Sequence, residues 1–384
     1  MSLVVFPVKE EDPAVVVSNL AVAAGHERVE EVWAVTAGTP DMTASLESLA
    51  AELATAHDTP IAVLPQERVG TLRPGKGDAM NTAIRAAAER GFARAHFYDS
   101  DITNFDRGWI DGAESAADRG YGVVRHRFPR AATDAMITWM VTRPGLAMLF
   151  PGTILPRVGQ PLGGEILLSR EAVELLAADH AVSNRSDWGI DTVLTHATST
   201  MGLPIYEHLV TEGKLHALYG SLSELRTMVL ECLDAVAALR GEKAPHPDAV
   251  FHADPPAPVP ESLKSTEAFD IEASFSLLAG EWSGDETRLA GALPGDIGRR
   301  LVSVSDPSDL VFMDEERWGE TLNFLIEGFH LGDGAWESLA FRLWLARVLA
   351  YATGPVRRGY DDAIAYLETT IRRYEGRTDQ DVDP

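Results

Sequence analysis

Short apolar runs alternate with helix-like runs along the first part of the chain, and this alternation most limits the folds it can adopt. The apolar runs span residues 2–6, 32–35, 61–64 and 95–98, with helix-like runs at 14–24, 45–57 and 78–90 between them. The alternation is typical of βαβ units and of a largely parallel sheet that is covered on both faces. It persists to about residue 225, so we predict an α/β domain over residues 1–225. Ligands of such sheets bind beyond the carboxyl ends of the strands, which directs attention to residues after Phe6, Leu64 and Tyr98.

The pattern changes after residue 225. A helical run over 225–240 is followed by a Pro-rich, extended segment at about 244–262, and the rest to residue 375 has helical periodicity without strand alternation. We therefore predict a helical C-terminal domain over residues 226–384. Its Trp-rich stripes, as in "WESLAFRLWLARVLAYATG", indicate a core or a subunit contact. We expect a homo-oligomer, a dimer or larger, that assembles through this domain.

Composition excludes several classes of function. The formal net charge of −25 disfavours binding to nucleic acid or to an anionic membrane, and it would also suit a salt-rich cytoplasm. No apolar run approaches the ~20 residues of a membrane span, and "MSLVVFPVKE" lacks the features of a signal peptide, so we predict a cytoplasmic protein. Cys232 is the single cysteine, which excludes an internal disulfide and predicts a buried apolar role.

The stretch "VGTLRPGKGDAMN" resembles the opening of a phosphate-binding loop. Gly70 is followed after four residues by Gly75 and Lys76, the spacing found in ATPases and GTPases. Those proteins have Ser or Thr after the Lys as a Mg²⁺ ligand, whereas this chain has Gly77. Residues 65–69 also separate the predicted strand from the first glycine. We interpret the loop as a phosphate site of another kind, and a nucleotide-dependent switch or ATPase stays open as an alternative.

The run "AHFYDSDITNF" is a predicted strand that ends in two aspartates. Asp99 and Asp101 are alternate residues, so both carboxylates can point toward one hard cation. This D-x-D arrangement is used to hold a divalent metal against a nucleotide diphosphate. Lys9 and Lys76 are candidate counter-charges for the phosphates, and Gln66 could contact a base or ribose. For Lys9 the alternative is an ordinary surface lysine.

Three further positions carry candidate chemistry. Gly163 and Gly164 precede a predicted strand in "QPLGGEILLSR", and Asp191 lies at the start of a predicted helix, where an N-cap is the alternative role. His216 lies in "EGKLHALYG". A mixed Asp and His site suits Mn²⁺ or another divalent metal, and the alternative is a structural histidine.

Seven stretches together resemble the mannosylglycerate synthase family, retaining glycosyltransferases of the GT-A type. They are "LVVFPVK", "QERVGTLRPGKGDAMNTA", "HFYDSDIT", "YGVVRHRFPRAATDAMITWM", "QPLGGE", "RSDWGIDT" and "EGKLHALYG", and the resemblance extends into the helical half through "FMDE" and "RGYD". It implies a GT-A catalytic domain over residues 1–225 and transfer of mannose from GDP-mannose to the 2-hydroxyl of D-glycerate. The product would be mannosylglycerate, a compatible solute. The cofactor implied is a divalent metal, with Mn²⁺, Mg²⁺ and Ca²⁺ as candidates.

The resemblance also implies roles for individual residues. Asp191 and Asp99 would be catalytic, and Asp101 and His216 would bind the metal. The nucleotide-sugar pocket would contain Pro7, Lys9, Gln66, Lys76, Asp99, Ser100, Gly163 and Gly164. The acceptor would be contacted by Arg130, Asp134, Thr138, Tyr219 and Met228. Ala217 departs from the family pattern, which has a basic residue after the metal histidine.

The spacing in "RAATDAMIT" supports one part of this assignment. Arg130, Asp134 and Thr138 recur every four residues, so they would share one face of a helix that begins near Arg130. An Arg guanidinium can grip the glycerate carboxylate with two hydrogen bonds, and the other two side chains can contact its hydroxyls. The alternative is a solvated helix face with an ion pair.

Other functions are compatible with the same motifs. The donor could be GDP-glucose or UDP-glucose, and the acceptor lactate or glycolate. A sugar-nucleotide binding module without catalytic activity also fits. The sequence leaves open whether retention proceeds through a covalent glycosyl–enzyme or through same-face attack by the acceptor.

Overall fold

The computed structural model describes residues 2–216 and 221–376. Within these ranges, eight strands form one sheet in the order β3-β2-β1-β4-β6-β5-β7-β8. Strand β6 is antiparallel to β4 and β5, and the other neighbours are parallel. The strands are β1 (Ser2–Val8), β2 (Val29–Thr36), β3 (Ile61–Pro65), β4 (Arg94–Phe97), β5 (Val123–Arg127), β6 (Ile166–Ser169), β7 (Ile205–Leu209) and β8 (Phe251–Ala253).

The α-helices follow in chain order. They are α1 (Pro13–Ala24), α2 (Pro40–His57), α3 (Lys76–Arg90), α4 (Arg107–Asp118), α5 (Arg143–Leu149), α6 (Arg170–Ala178), α7 (His180–Asn184), α8 (Ile190–Thr200), α9 (Arg226–Ala238), α10 (Glu261–Lys264), α11 (Ile271–Leu278), α12 (Gly284–Ala290), α13 (Ile297–Val302), α14 (Glu315–Gly328), α15 (Gly334–Thr353) and α16 (Tyr360–Tyr374).

The predicted α/β alternation is confirmed. The four predicted strands overlap β1, β2, β3 and β4 respectively, and the three predicted helices overlap α1, α2 and α3. Aspartate side chains cap the N-termini of α1 and α4: Asp12 accepts from the Ala14 amide, and Asp106 accepts from the Gly108 amide. The central strand β1 is almost wholly buried, as expected for a parallel sheet covered on both faces.

The chain forms two compact units that are interleaved along the sequence. One contains the described residues of 1–129, 162–217 and 245–258, and the other contains those of 130–161, 218–244 and 259–384. The predicted boundary at residue 225 differs from this division. Residues 130–161 belong with the helical unit because α5 packs against α9, α14 and α16, and residues 245–258 return to the sheet.

Residues 245–258 join the sheet, which corrects the expectation of a purely helical C-terminal domain. We expected no strand after residue 225, but β8 pairs in parallel with β7 inside the Pro-rich segment. The Ile205 amide donates to Val250 O at 2.9 Å, and Asp254 accepts from the Leu209 amide and from His208 Nδ1, both at 2.8 Å. A three-residue strand beside prolines is too short to show a period of two, which explains why the pattern missed it.

The helical unit has its own core around α15. Leu343, Trp344 and Tyr351 are buried there, which confirms a core role for the predicted apolar stripe. Trp318 Nε1 donates to Met140 O at 2.7 Å, and Tyr351 Oη donates to Ala132 O at 2.9 Å. Oligomerisation through this unit stays a prediction. Among the described residues, no helix has the length and apolarity needed to cross a membrane.

Candidate active site

The loop after β4 is fixed against the end of β1. Ser100 Oγ donates to Pro7 O at 2.7 Å, and Asn19 Nδ2, from α1, donates to Ser100 O at 3.1 Å and Ile102 O at 2.9 Å. These bonds hold the backbone on both sides of Asp101 and directly after Asp99. The two carboxylates therefore start from a rigid backbone at the carboxyl end of the sheet, where ligands of such sheets bind.

Five charged side chains form a continuous ion-pair chain in this unit. Lys76 Nζ lies 2.8 Å from Asp99 Oδ1 and 3.1 Å from Asp191 Oδ2. Lys214 Nζ lies 2.6 Å from Asp99 Oδ2 and 2.6 Å from Glu165 Oε1. Carboxylates and ammonium groups thus alternate in the order Asp191, Lys76, Asp99, Lys214 and Glu165. We refer to these five residues as the charged centre.

Burial and neighbouring charge shift the pKa values of the charged centre. Burial alone would lower the pKa of Lys76, but the charges of Asp191, Asp99 and Glu165 raise it well above its usual value. For Asp99, burial opposes ionisation, yet Lys214 and Lys76 hold its pKa well below the usual range. Burial raises the pKa values of Asp191 and Glu165, and the neighbouring lysines only partly offset that effect. Asp99 is therefore the firmly ionised member.

Glycine is required beside this centre. A Cβ on Gly164 would collide with Lys76 Nζ and would lie 2.6 Å from Asp99 Oδ1. The neighbouring Gly163 O accepts from Arg125 Nη2 at 3.2 Å. The Gly-Gly pair lets the backbone approach the charged groups closely, and its place in the nucleotide-sugar pocket stays a prediction.

The glycine loop before α3 is built differently from an NTPase loop. The buried Asp78 carboxylate accepts from the amides of Val69 at 3.0 Å and Gly70 at 2.9 Å, so these amides bind protein instead of phosphate. In NTPase loops the backbone amides cradle the phosphates. A Cβ on Gly70 would lie 2.6 Å from Asn184 O, and one on Gly77 would lie 2.7 Å from Ser186 C. Gly70 and Gly77 thus allow the loop to pack closely against the backbone of residues 184–186.

Asp191 lies inside the first turn of α8. The N-cap is Gly189, so the alternative N-cap role for Asp191 is wrong. The residue is 3% exposed, its Oδ2 accepts from Lys76, and its Oδ1 is buried without a hydrogen-bond partner in the described parts of the chain. A buried carboxylate oxygen without a donor is available to a ligand.

The Asp101 carboxylate has the chemistry of a metal ligand. Its Oδ1 is buried and has no hydrogen-bond partner among the residues that the structure describes, whereas both Asp99 oxygens are engaged by lysines. Leu215 O, next to His216, accepts from the Thr103 amide at 2.8 Å, which ties the histidine segment to the loop that carries Asp101. Over the described ranges, no cluster of three or more His, Cys, Asp or Glu could hold a metal. The Asp101 and His216 site stays a prediction, and its residue types fit a divalent cation.

The remaining donor-site candidates follow the ends of β1 and β3, two parallel strands on either side of β2. Lys9 follows β1 and is exposed, and its amide donates to Glu11 Oε2 at 2.6 Å. Gln66 follows β3 and is half-buried, and its amide donates to Thr36 O at 2.8 Å. Both positions suit a nucleotide contact, and both assignments stay predictions.

The predicted helix through the acceptor residues is wrong at its start. Residues 131–134 form a turn, Ala135 has φ +56°, and helical structure begins only at residue 136. The turn forms because Asp134 bonds locally: its Oδ2 pairs with Arg130 Nη1 at 2.8 Å and its Oδ1 accepts from the Ala135 amide at 2.6 Å. The three residues therefore do not share a helix face.

The other acceptor candidates have different surroundings. Thr138 is buried at the start of a short π-helical segment, Thr138–Thr142, that leads into α5. Met228 is half-buried on α9. Tyr219 and Ala217 lie outside the described residues. The assignment of these residues to the acceptor stays a prediction.

Sequence reasoning missed four residues around the charged centre. Lys214 and Glu165 complete its ion pairs, Arg125 is buried and bonds to the Gly-Gly segment, and the Trp188 ring lies 5.8 Å from Lys76 Nζ. All four occur in the motif stretches, as the Lys of "EGKLH", the Glu of "GGE", the Trp of "SDWG" and the first Arg of "YGVVRHRF". For Lys214 and Glu165, a charged residue directly after a glycine was the available signal.

Comparisons with known proteins agree across the whole chain. Residues 2–238 match the profile of the mannosylglycerate synthase GT domain, and residues 263–371 match that of the mannosylglycerate synthase C-terminal domain. The chain is 46% identical over 375 residues to mannosylglycerate synthase of Rhodothermus marinus, covering 97% of this chain and 94% of the relative. It is 42% identical over 374 residues to mannosylglycerate synthase of Selaginella moellendorffii, covering 97% and 89%.

One solved structure bears on the fold. Glucosyl-3-phosphoglycerate synthase from Mycobacterium tuberculosis in complex with phosphoglyceric acid superimposes with a TM-score of 0.50 over 64% of this chain and 81% of that one, at 23% identity. At this identity the likeness supports the α/β fold of GT-A glycosyltransferases and nothing finer. The predicted fold class is confirmed.

Proposed function

Because the chain belongs to the mannosylglycerate synthase family, we propose that it transfers mannose from GDP-mannose to the 2-hydroxyl of D-glycerate, with retention at the sugar carbon. Membership in this family makes the chain a glycosyltransferase that forms glycosides of glycerate. The particular donor, the free-glycerate acceptor and retention are the proposed part. The product would serve as a compatible solute.

The charged centre is the observation that carries the proposal. A departing nucleotide diphosphate gains negative charge, and stabilising that charge is the main electrostatic task in such a transfer. Lys76 supplies a buried ammonium whose pKa is raised, so it stays charged at every physiological pH. Asp99 and Asp191 hold this ammonium in place from two sides. A donor diphosphate would bind this ammonium alongside the carboxylates that hold it.

Asp191 is the carboxylate we assign to the reacting sugar. Its Oδ1 has no hydrogen-bond partner among the described residues and its Oδ2 is fixed by Lys76, so one oxygen is oriented while the other can face a ligand. That oxygen can act as a nucleophile, or it can stabilise positive charge on the sugar carbon while the acceptor attacks the face that the diphosphate leaves; each of these two routes gives retention.

We assign a divalent cation, Mn²⁺ or Mg²⁺, to Asp101 and His216. When bound, the ion neutralises charge on the diphosphate. The chain's own contribution is the orphaned Asp101 oxygen and the bonds from Thr103 that bring the histidine segment to the same loop. Both oxygens of Asp99 are already paired with lysines, so we assign Asp99 to the sugar-nucleotide pocket and not to the metal.

For the acceptor, we assign Arg130 to the glycerate carboxylate. Its guanidinium already pairs with a carboxylate, that of Asp134, at 2.8 Å, and an acceptor carboxylate would compete for the same donors. Thr138 and Met228 are assigned as further contacts on the strength of the family resemblance alone.

The proposal is tested by incubating the protein with Mn²⁺, a panel of sugar nucleotides and D-glycerate, and then identifying glycosides and their anomeric configuration by NMR. We expect α-linked mannosylglycerate from GDP-mannose. Asp191→Asn is the matched variant, since it keeps the side-chain shape but removes the charge, and it should lower turnover at least a hundredfold. Product from another donor, an inverted product, or phosphate release from ATP without glycoside would contradict the proposal.

Acceptor assignment has a separate test. Asp134→Asn and Thr138→Val should reduce kcat/KM for D-glycerate more than for lactate, which lacks the terminal hydroxyl. Arg130→Lys should reduce both equally, by about tenfold or more, because a single ammonium cannot reproduce the two-pronged grip on a carboxylate. Equal losses for both acceptors in the Asp134 and Thr138 variants would remove those two residues from hydroxyl recognition.

A further inference from the structure

Lys214 lies in a loop, yet its ammonium is buried within the charged centre. The side chain is 7% exposed, and Nζ donates to Asp99 Oδ2 and Glu165 Oε1, each at 2.6 Å. The loop itself is fixed, since the Thr103 amide and hydroxyl both donate to Leu215 O. This lysine therefore reaches the centre from a backbone with little freedom.

The two lysines divide the Asp99 carboxylate between them. Lys76 binds Oδ1 and Lys214 binds Oδ2, so rotation of the carboxylate would break one of two charge-assisted bonds. Lys76 in turn bonds to Asp191. The orientation of the proposed reacting groups is thus linked, through Asp99, to the position of Lys214.

Stability alone is a weak reason to keep these charges. Glu165 has a fully buried side chain, and replacing a buried ion pair with apolar groups is often neutral or stabilising. Removing only one partner is costly, because the other charge stays buried without compensation. A pair that adds little stability but fixes geometry is typical of residues that orient a reacting group.

We propose that Lys214 and Glu165 form a positioning pair, which holds the Asp99 carboxylate, and through it Lys76, in the orientation required for sugar transfer. The inference rests on the proposed function. Glu165 fixes the Lys214 ammonium, and this ammonium in turn fixes the Asp99 carboxylate. Neither Lys214 nor Glu165 takes part in making or breaking a bond of the sugar. Sequence motifs alone assigned no role to either residue.

The test compares three variants with the parent under the glycoside assay, with thermal unfolding measured in parallel. Lys214→Met leaves Glu165 buried and uncompensated, so we expect lower turnover together with a lower Tm. Lys214→Met/Glu165→Gln removes both charges of the pair, while Asp99, whose side chain is 26% exposed, keeps its bond to Lys76; Tm should therefore return to within about 2 °C of the parent while kcat stays at least tenfold lower. Lys264→Met is the matched control, because Lys264 pairs with Glu261 at 2.7 Å at an exposed position; it should change neither quantity.

Two binding titrations separate positioning from general damage. In the double variant, the Kd for GDP measured by calorimetry and the Mn²⁺ midpoint of activity should stay within threefold of the parent. If turnover recovers together with Tm in the double variant, the pair is structural and the inference is wrong. Loss of GDP or Mn²⁺ binding would equally overturn it, because the site would then have collapsed. A parent enzyme without glycoside product overturns the proposed function, and this inference with it.

Discussion

The substitution Gly77→Ser, which would complete the NTPase motif in the sequence, should lower the stability of the protein and create no ATPase activity. A Cβ at this position would collide with Arg185 O and would lie 2.7 Å from Ser186 C, where ordinary van der Waals contact begins at 3.4 Å. Both obstacles are backbone atoms, so no side-chain rotation can relieve them. The first turn of α3 and residues 185–186 would have to move apart.

The expected cost follows from this overlap. Overpacking that shifts backbone costs about 1–3 kcal/mol, and the better helix propensity of Ser returns only a few tenths. We expect a net loss of about 2 kcal/mol and a Tm lower by about 4–8 °C for a unit of this size. ATP hydrolysis should remain absent, because the amides of Val69 and Gly70 stay bonded to Asp78.

The assay is thermal unfolding followed by circular dichroism, together with phosphate release from ATP. Gly75→Ala is the control in the same loop, since its Cβ would lie 3.3 Å from Arg73 Nη2, the end of a flexible side chain. It should shift Tm by no more than about 1 °C. An unchanged Tm in Gly77→Ser, or ATP hydrolysis by that variant, would refute the packing argument.

Three other variants test separate parts of the structure. Lys76→Ala should weaken GDP-mannose binding in calorimetry at least tenfold and should also lower Tm, because Asp99 and Asp191 lose their shared ammonium; an unchanged Kd would contradict its assignment. Asp101→Ala and His216→Ala should each raise the Mn²⁺ concentration needed for half-maximal activity, and an unchanged midpoint in the His216 variant would return that residue to a structural role. In the helical unit, burial opposes ionisation of Glu286, but bonds from Ser338 and Ser283 and the charge of Arg342 lower its pKa to about 2. The stability this provides is present above the usual pKa of 4.5 and is lost as pH falls toward 2, so the Tm difference between the parent and Glu286→Gln should shrink from pH 6 to pH 3. A constant difference would contradict this.

The fold was largely predictable because its main signal is periodic. Four apolar runs separated by helix-like runs gave the first four strands, and the stripe on α15 gave the helical core. Strand β8 and the turn at Asp134 escaped for local reasons. Strand β8 is too short to show alternation, and Asp134 bonds to its own backbone neighbour, which starts a turn where four-residue spacing indicated a helix.

The site was predictable only in part, because its groups meet through long-range packing. Motif spacing led to Asp99 and Lys76, and the structure joins them at 2.8 Å. No spacing rule links Lys214 to Glu165, which are 49 positions apart and carry charges that would ordinarily be expected at the surface. Burial of such groups depends on the partner, and the partner is known only once the sheet is assembled.

The pairing of β8 with β7 has a practical consequence for anyone who wishes to isolate the sheet domain. The GT-domain profile ends at residue 238, before β8 begins at Phe251. A chain cut at that point would lose the outermost strand, and the amides and carbonyls of β7 would form an open edge that can recruit other molecules. Tyr206 Oη and His208 Nδ1 would also lose the Asp254 carboxylate. Truncation near residue 258, the last residue of the sheet unit, would keep that edge covered.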